Sequence, residues 1–307
     1  MTLSKNQFRG HLAMLAFSAL VAGSFSLGHI VANEIAPAAI NAVRFILAGV
    51  VMAVFALAGP GFKKVDFHAP WRYLVLGGLF ALYFVLMFEG LKTAKPVSAA
   101  AVFTLMPVMA AGFGWLLLRQ VTTRRMAVAL AVAAVGSLWV IFKGDLTALA
   151  KLDIGRGELI YFIGCVSHAA YTPMVRKLNR GESPVIFTFG TLVAGSLLLL
   201  VVGGKAMWAT DWQHLPIIVW LTLGYLVVFS TAASFVLLQY ATLRLPSAKV
   251  MAYSYLTPTW VILVEAAIGH GLPRVTVLPG VVATMFALYL LLKDEAKDET
   301  VRDEAVS

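Results

Sequence analysis

Residues 245–265 read LPSAKVMAYSYLTPTWVILVE, and an echo lies at 94–118, AKPVSAAAVFTLMPVMAAGFGWLLL. Each stretch opens with a proline at the start of an apolar run, Pro246 in one and Pro96 in the other. Each carries a second proline in mid-run, Pro258 after Tyr255-Leu-Thr and Pro107 after Thr104-Leu-Met. A proline inside a helix removes one backbone hydrogen bond and bends the rod. In hydrocarbon no water repairs that loss, so a neighbouring helix, a hydroxyl or a wet cavity must. Pro107 and Pro258 lie 151 positions apart, about half of the 307-residue chain. The pattern therefore predicts one kinked helix at the same place in each of two repeats.

Composition sets the solvent. The chain is 60% hydrophobic and 13% charged, against about 25% charged in soluble domains, and its mean hydropathy is +0.86. This is the composition of an integral membrane protein, with the lipid bilayer as its partner. The net charge of +9 would suggest nucleic acid for a soluble protein. Here basic residues crowding the cytoplasmic loops account for it, and no nucleic-acid partner is expected. Cys165 is the single cysteine, so no disulfide forms within one chain. There is no zinc spacing, no metal site and no cofactor motif. Gly203-Gly204-Lys205 lacks the flanks of a nucleotide-binding loop.

Charge-poor runs long enough to cross hydrocarbon give ten spans: 11–31, 36–58, 71–90, 97–118, 124–142, 157–177, 183–203, 215–239, 248–269 and 274–292. The first is read as an uncleaved span rather than a signal peptide, because the same apolar rhythm continues to the end of the chain. With the N-terminus inside, cytoplasmic segments hold 15 Lys and Arg and outer segments hold 7. That bias places both termini in the cytoplasm. Gly10 aligns with Gly157, and Ala36-Pro37 with Ser183-Pro184, at an offset of 147. Five spans per repeat is odd, so the second half enters the membrane in the opposite sense. The expected fold is all-α, ten transmembrane helices in two inverted five-helix repeats. The first repeat covers 1–148, the second 149–293, and 294–307 is a charged cytoplasmic tail. A site is expected near mid-depth, between the halves.

These features resemble the drug/metabolite transporter superfamily and, within it, the EamA-type permeases. Pro37 with Arg44, the segment from Lys95 to Pro107, and PSAKVMAYSYLTPTW at 246–260 carry the resemblance, which spans about 10–292. It implies a bacterial inner-membrane carrier whose cavity is walled mainly by spans 1, 3, 4, 6, 8 and 9. Such carriers often export amino acids or other small metabolites. One departure stands out: many members carry Gly-Glu after the fourth and ninth spans, where this chain has Arg119-Gln120 and His270-Gly271.

The residues around the kinks suit a cavity with apolar walls and a few fixed polar groups. The expected substrate-binding set is Ser24, Tyr83, Thr104, His168, Tyr171, Ser230, Tyr253, Tyr255 and Trp260, with Pro107 and Pro258 as the helix kinks. Each member has a blander reading: Tyr and Trp as interfacial belts, Ser and Thr as helix stitches, His168 as a hydrogen-bonded core residue. Glu265 reads equally as a proton-coupling carboxylate or as an interfacial residue with its head in water. Arg44, about 12 Å deep at 1.5 Å per residue, reads first as a helix lock and second as an anion contact. Glu89 reads as a surface pair with Lys92. Ala127, Ala131 and Ala134 in span five and Gly280, Ala283 and Ala287 in span ten would permit close packing within the chain or a homodimer. No paired mid-membrane carboxylates and no nucleophile–base set are present, so no enzyme is expected. The expected function is secondary export of small organic metabolites such as amino acids by alternating access. The rival is an importer of a vitamin, sugar or nucleotide-like solute on the same fold.

Overall fold

The computed structural model describes residues 5–59, 61–147 and 154–304. The expected boundary between the repeats at 148/149, and Lys151, lie outside the described residues. The helices, in order, are α1 (Lys5–Val31), α2 (Pro37–Ala58), α3 (Trp71–Leu91), α4 (Pro96–Phe103), α5 (Met106–Leu118), α6 (Arg124–Ile141), α7 (Arg156–Leu178), α8 (Pro184–Ala209), α9 (Ile217–Val227), α10 (Ser234–Thr242), α11 (Ser247–Ala252), α12 (Thr257–Ala267) and α13 (Leu278–Glu304). A π-helical turn, Val228–Ala233, joins α9 to α10, and a 3₁₀ turn, Tyr253–Leu256, joins α11 to α12.

Local chemistry sets the helix starts. Pro37, Pro96 and Pro184 open α2, α4 and α8, where the missing N–H has no helical partner to lose. Ser183 accepts from the Ile186 N–H, and Thr123 accepts from the Met126 N–H at 3.1 Å, capping α8 and α6. Arg119, in the left-handed region at φ 56°, ends α5.

Among the described residues, seven helical runs are long and apolar enough to cross a membrane by length and composition, and Val275–Leu291 is a shorter apolar helix. The runs follow the expected segments in order. α7 is long but carries Glu158, Arg176 and Lys177, and the kink divides the ninth segment into pieces too short to qualify alone. Apolar side chains face outward, with Val54 60%, Phe55 61% and Val201 85% exposed. Such a surface requires an apolar solvent, and the chain is a multi-pass membrane protein.

The two halves pack on each other in matched pairs. α2 lies against α8 and α6 against α13, while α3 packs along α7 and α1 along α10. The last two are the same contact with the halves exchanged, as a two-fold relation between repeats requires. Glycines permit the closest approaches. A Cβ on Gly90 of α3 would sit 2.6 Å from the Gly157 carbonyl oxygen of α7, and one on Gly280 of α13 would sit 2.5 Å from the Gly136 carbonyl oxygen of α6. On α6 the packing face is Ala129, Ala133 and Gly136, whereas Ala127 and Ala131 are exposed. For packing within the chain, the expected stripe on span five is therefore one helix face out of phase. Small residues alone did not fix the phase, because α6 is rich in alanine on several faces.

Candidate functional site

Two prolines and one π turn shape the centre. α4 stops at Phe103 and α5 starts at Met106, with Pro107 in its first turn. α11 gives way to the 3₁₀ turn and α12 starts at Thr257, with Pro258 in its first turn. Both prolines thus sit where a new helix begins, so the kinks are breaks rather than bends. Thr104 supports the first break, donating to the Ala101 carbonyl at 2.6 Å and sharing a short hydroxyl contact with Ser137 of α6.

Beside the breaks is a central cavity drawn from both halves. Phe17 and Ser24 of α1, Phe80, Tyr83 and Phe84 of α3, and Phe103 of α4 face His168 of α7, Ser230 of the π turn, and Ser234 and Phe235 of α10. Free space for a water-sized body is about 10 Å³, roughly one water. Aromatic rings fill the rest. The Phe80 ring centroid is 3.9 Å from that of Tyr171, 4.2 Å from Phe235 and 4.7 Å from the His168 ring. Tyr83 lies 4.5 Å from His168 and shares a 3.0 Å hydrogen bond with Tyr161.

Two polar features stand out in this apolar box. Both ring nitrogens of His168 are buried without a hydrogen-bond partner. A buried histidine normally satisfies at least one. Across the cavity, Ser24 and Ser230 share a short hydroxyl–hydroxyl contact. Behind Ser230 lies Arg44, fully buried. Its Nε donates to Thr231 Oγ1 at 2.5 Å, its Nη2 to the Ser230 carbonyl at 3.0 Å and to Ser230 Oγ at 3.2 Å, and its Nη1 to Asn41 Oδ1 at 3.4 Å. The guanidinium also lies over the Phe84 ring at 3.8 Å. Arg44 thereby ties α2 to the π turn, which is the locking role, and places a cation one hydroxyl behind the cavity wall.

Of the expected set, Ser24, Tyr83, His168 and Ser230 meet in this cavity. Tyr171 stands one ring behind, accepting from Gln239 Nε2 at 3.0 Å. The others sit elsewhere. Tyr253 Oη bonds His11 Nδ1 at 2.9 Å, and half-buried Trp260 donates to Ser18 Oγ at 3.2 Å. Tyr255 packs in a second apolar cluster with Met126, Ala129 and Leu288, away from the centre. Sequence order placed these around Pro258, but the 3₁₀ turn spreads them over different neighbours. Of the wall formed by Phe80, Tyr83, Phe84 and Met87, the expected set holds Tyr83 alone, although the i, i+3, i+4, i+7 spacing marks one helix face.

A second cavity, about 560 Å³, opens beside the C-terminal end of α1. Lys95, Lys143, Arg274, His29, His270 and Glu265 line it. Glu265 Oε2 meets His270 Nδ1 at 3.1 Å, and Oε1 has no partner. Glu89 pairs with Lys92 at 2.8 Å with both side chains partly exposed, as a surface pair should. At the opposite end of the bundle, Arg72 of α3 donates to Glu182 at 2.6 Å and to the Leu178 carbonyl at 2.6 Å, and both side chains of the pair are buried. Burial alone would raise the Glu182 carboxyl. The Arg72 guanidinium and the Arg180 N–H outweigh it and hold that carboxyl below its ordinary value. Among the described residues, no group of three or more His, Cys, Asp or Glu is placed to hold a metal.

Comparison with known proteins agrees with this architecture. A solved crystal structure superposes with a TM-score of 0.69 at 18% identity, over 94% of this chain and 97% of that one. The uncharacterized transporter YyaM of Bacillus subtilis (strain 168) is 26% identical over 281 residues, 91% of this chain and 92% of its own. The S-adenosylmethionine/S-adenosylhomocysteine transporter of Chlamydia muridarum (strain MoPn / Nigg) is 26% identical over 219 residues, 67% of each chain. The model of the EamA-like transporter family matches twice, over residues 8–142 and 155–293. The chain is a membrane transporter and belongs to the EamA-like transporter family.

Proposed function

We propose that the protein is a secondary carrier of the bacterial cytoplasmic membrane that exports small organic metabolites, amino acids among them, by alternating access. The observation that carries this reading is the central cavity, built from both halves with a few polar groups on aromatic walls. A site with room for about one water holds no metabolite until its walls separate. The helix breaks at Pro107 and Pro258 and the π turn supply places where the halves can bend. Ser24, Tyr83, His168 and Ser230 would contact the solute, with Thr104 and Tyr171 behind them. Tyr253 and Trp260, bonded to His11 and Ser18 of α1, would steady α1 against the second break.

Glu265 would carry the coupling proton, since Oε1 lacks a partner and the residue lines the open cavity. Glu265→Gln should then abolish uphill transport while sparing exchange in proteoliposomes. Uphill transport that survives would remove the assignment. No catalytic role is proposed for any residue.

A second reading has one specific support. Relatives named as S-adenosylmethionine/S-adenosylhomocysteine transporters favour a nucleotide-like solute, the cargo of the importer reading. Accumulation in cells overproducing the protein separates the two by sign. Thermal shift on purified protein selects the solute first: a ligand at 100 times its Kd adds about 2.7 kcal/mol. Stabilisation by amino acids with lowered cellular accumulation supports export. Stabilisation by nucleoside derivatives with raised accumulation supports import.

A further inference from the structure

We infer that the central cavity takes solutes bearing a carboxylate, with a carboxylate oxygen seated at the Ser24 hydroxyl and its charge balanced by Arg44 from behind, through Ser230. This deepens the carrier reading above and rests on it. Arg44 is fully buried, and every hydrogen bond it makes goes to a neutral group: Thr231, Ser230 and Asn41. Among the described residues no acidic side chain pairs with it. A buried cation normally has an anion beside it. The missing anion is the solute.

Proton bookkeeping gives the direction. Arg44 Nη2 donates to Ser230 Oγ, so the Ser230 hydroxyl turns its own hydrogen outward. Its short contact is with Ser24 Oγ. Ser24 then has its hydroxyl hydrogen to offer to the cavity. Such a chain polarises each member in turn, and its last donor suits an anionic oxygen. His168 faces the same space with both ring nitrogens unpartnered. Neutral imidazole presents one donor and one acceptor there, fit for a second polar group on the solute. The rings of Phe80, Phe84 and Phe235 suit an organic body rather than a hydrated inorganic anion. An independent feature agrees: among the described residues, the open cavity by α1 is lined by Lys95, Lys143 and Arg274 against one carboxylate, Glu265. A basic vestibule raises the local concentration of anions.

The test is counterflow in proteoliposomes with a panel of amino acids, hydroxy acids and keto acids, each matched to its amide. The wild-type protein should prefer acids over amides by about tenfold or more, because an amide cannot supply the missing charge. Arg44→Gln and Ser24→Ala should each bring that ratio towards one, while Arg44→Lys keeps part of it. Ser24→Ala covers the case in which Arg44→Gln does not fold, since it removes the last donor and leaves the buried charge in place. Saturable flux of amides equal to that of acids overturns this inference and leaves the carrier reading standing. An acid preference unchanged by Ser24→Ala overturns it likewise. No flux of any panel solute overturns both.

Discussion

At the scale of single residues, the polar groups of this protein divide into those that are satisfied and those that are not. His168 is unsatisfied on both nitrogens, inside a cage of Phe80, Tyr83, Phe103 and Tyr171. Replacing a buried polar group that has no partner with an apolar one of similar shape is neutral or stabilising. His168→Phe should therefore leave the melting temperature level or slightly higher, while solute flux falls about tenfold or more. A clear fall in melting temperature would mean that the ring is held by bonds the structure does not contain. Arg72 and Glu182 are the opposite case, a buried pair with further carbonyl acceptors around the guanidinium. Glu182→Gln removes the charge and leaves those carbonyls in place, so it should cost about 1–3 kcal/mol. The pH dependence follows from linkage. The folded-state pKa of Glu182 is lowered, so its contribution is full above the ordinary glutamate value, about 4.3, and is lost as pH falls through the lowered one. Melting curves from pH 7 downward should show a drop below about pH 4.3 that is shallower in Glu182→Gln. An identical drop in both proteins would assign it to other carboxylates.

At the scale of elements, three interruptions position the site. Two were legible, because proline in an apolar run is the strongest local punctuation a sequence offers. The third was not. The π turn at Val228–Ala233 has no proline, and nothing in VFSTAA distinguishes it from ordinary helix. It exists where Arg44 reaches across from α2 to the Ser230 carbonyl and the Thr231 hydroxyl, a contact 186 and 187 positions away in the chain. A π turn accommodates one residue more than an α-helix of the same rise. Deleting Phe229, whose side chain faces outward, should restore regular helix and rotate Ser230 off the cavity by about 100°. The expected result is a protein that still inserts and runs as a monodisperse peak in detergent but no longer moves solute. Full flux in the deletion variant would show that the turn does not aim Ser230.

At the scale of the whole molecule, the matched contacts of α1 with α10 and α3 with α7 come from two halves running in opposite senses. The expected orientation is open to a direct test, because Cys165 is the single cysteine and is buried. In a Cys165→Ser background, Val121→Cys and Asp211→Cys, both at exposed positions, should react with a membrane-impermeant maleimide from opposite sides. Val121→Cys should label only in inverted vesicles and Asp211→Cys only in intact cells. Labelling of both from one side would break the inverted-repeat topology. By itself the sequence determined the solvent, the order of the apolar segments, the doubled proline pattern and the family resemblance. Those are properties of composition and spacing, which hydrocarbon imposes locally on each segment. Only the tertiary structure decided which side chains meet. Ser24 and Ser230 lie 206 positions apart, Tyr253 and Tyr255 leave for different neighbours although they are two residues apart, and α6 packs on a face its even alanine content did not mark. Helix phase and a single π turn settle these matters, and both are set by contacts between segments rather than by the residues within one.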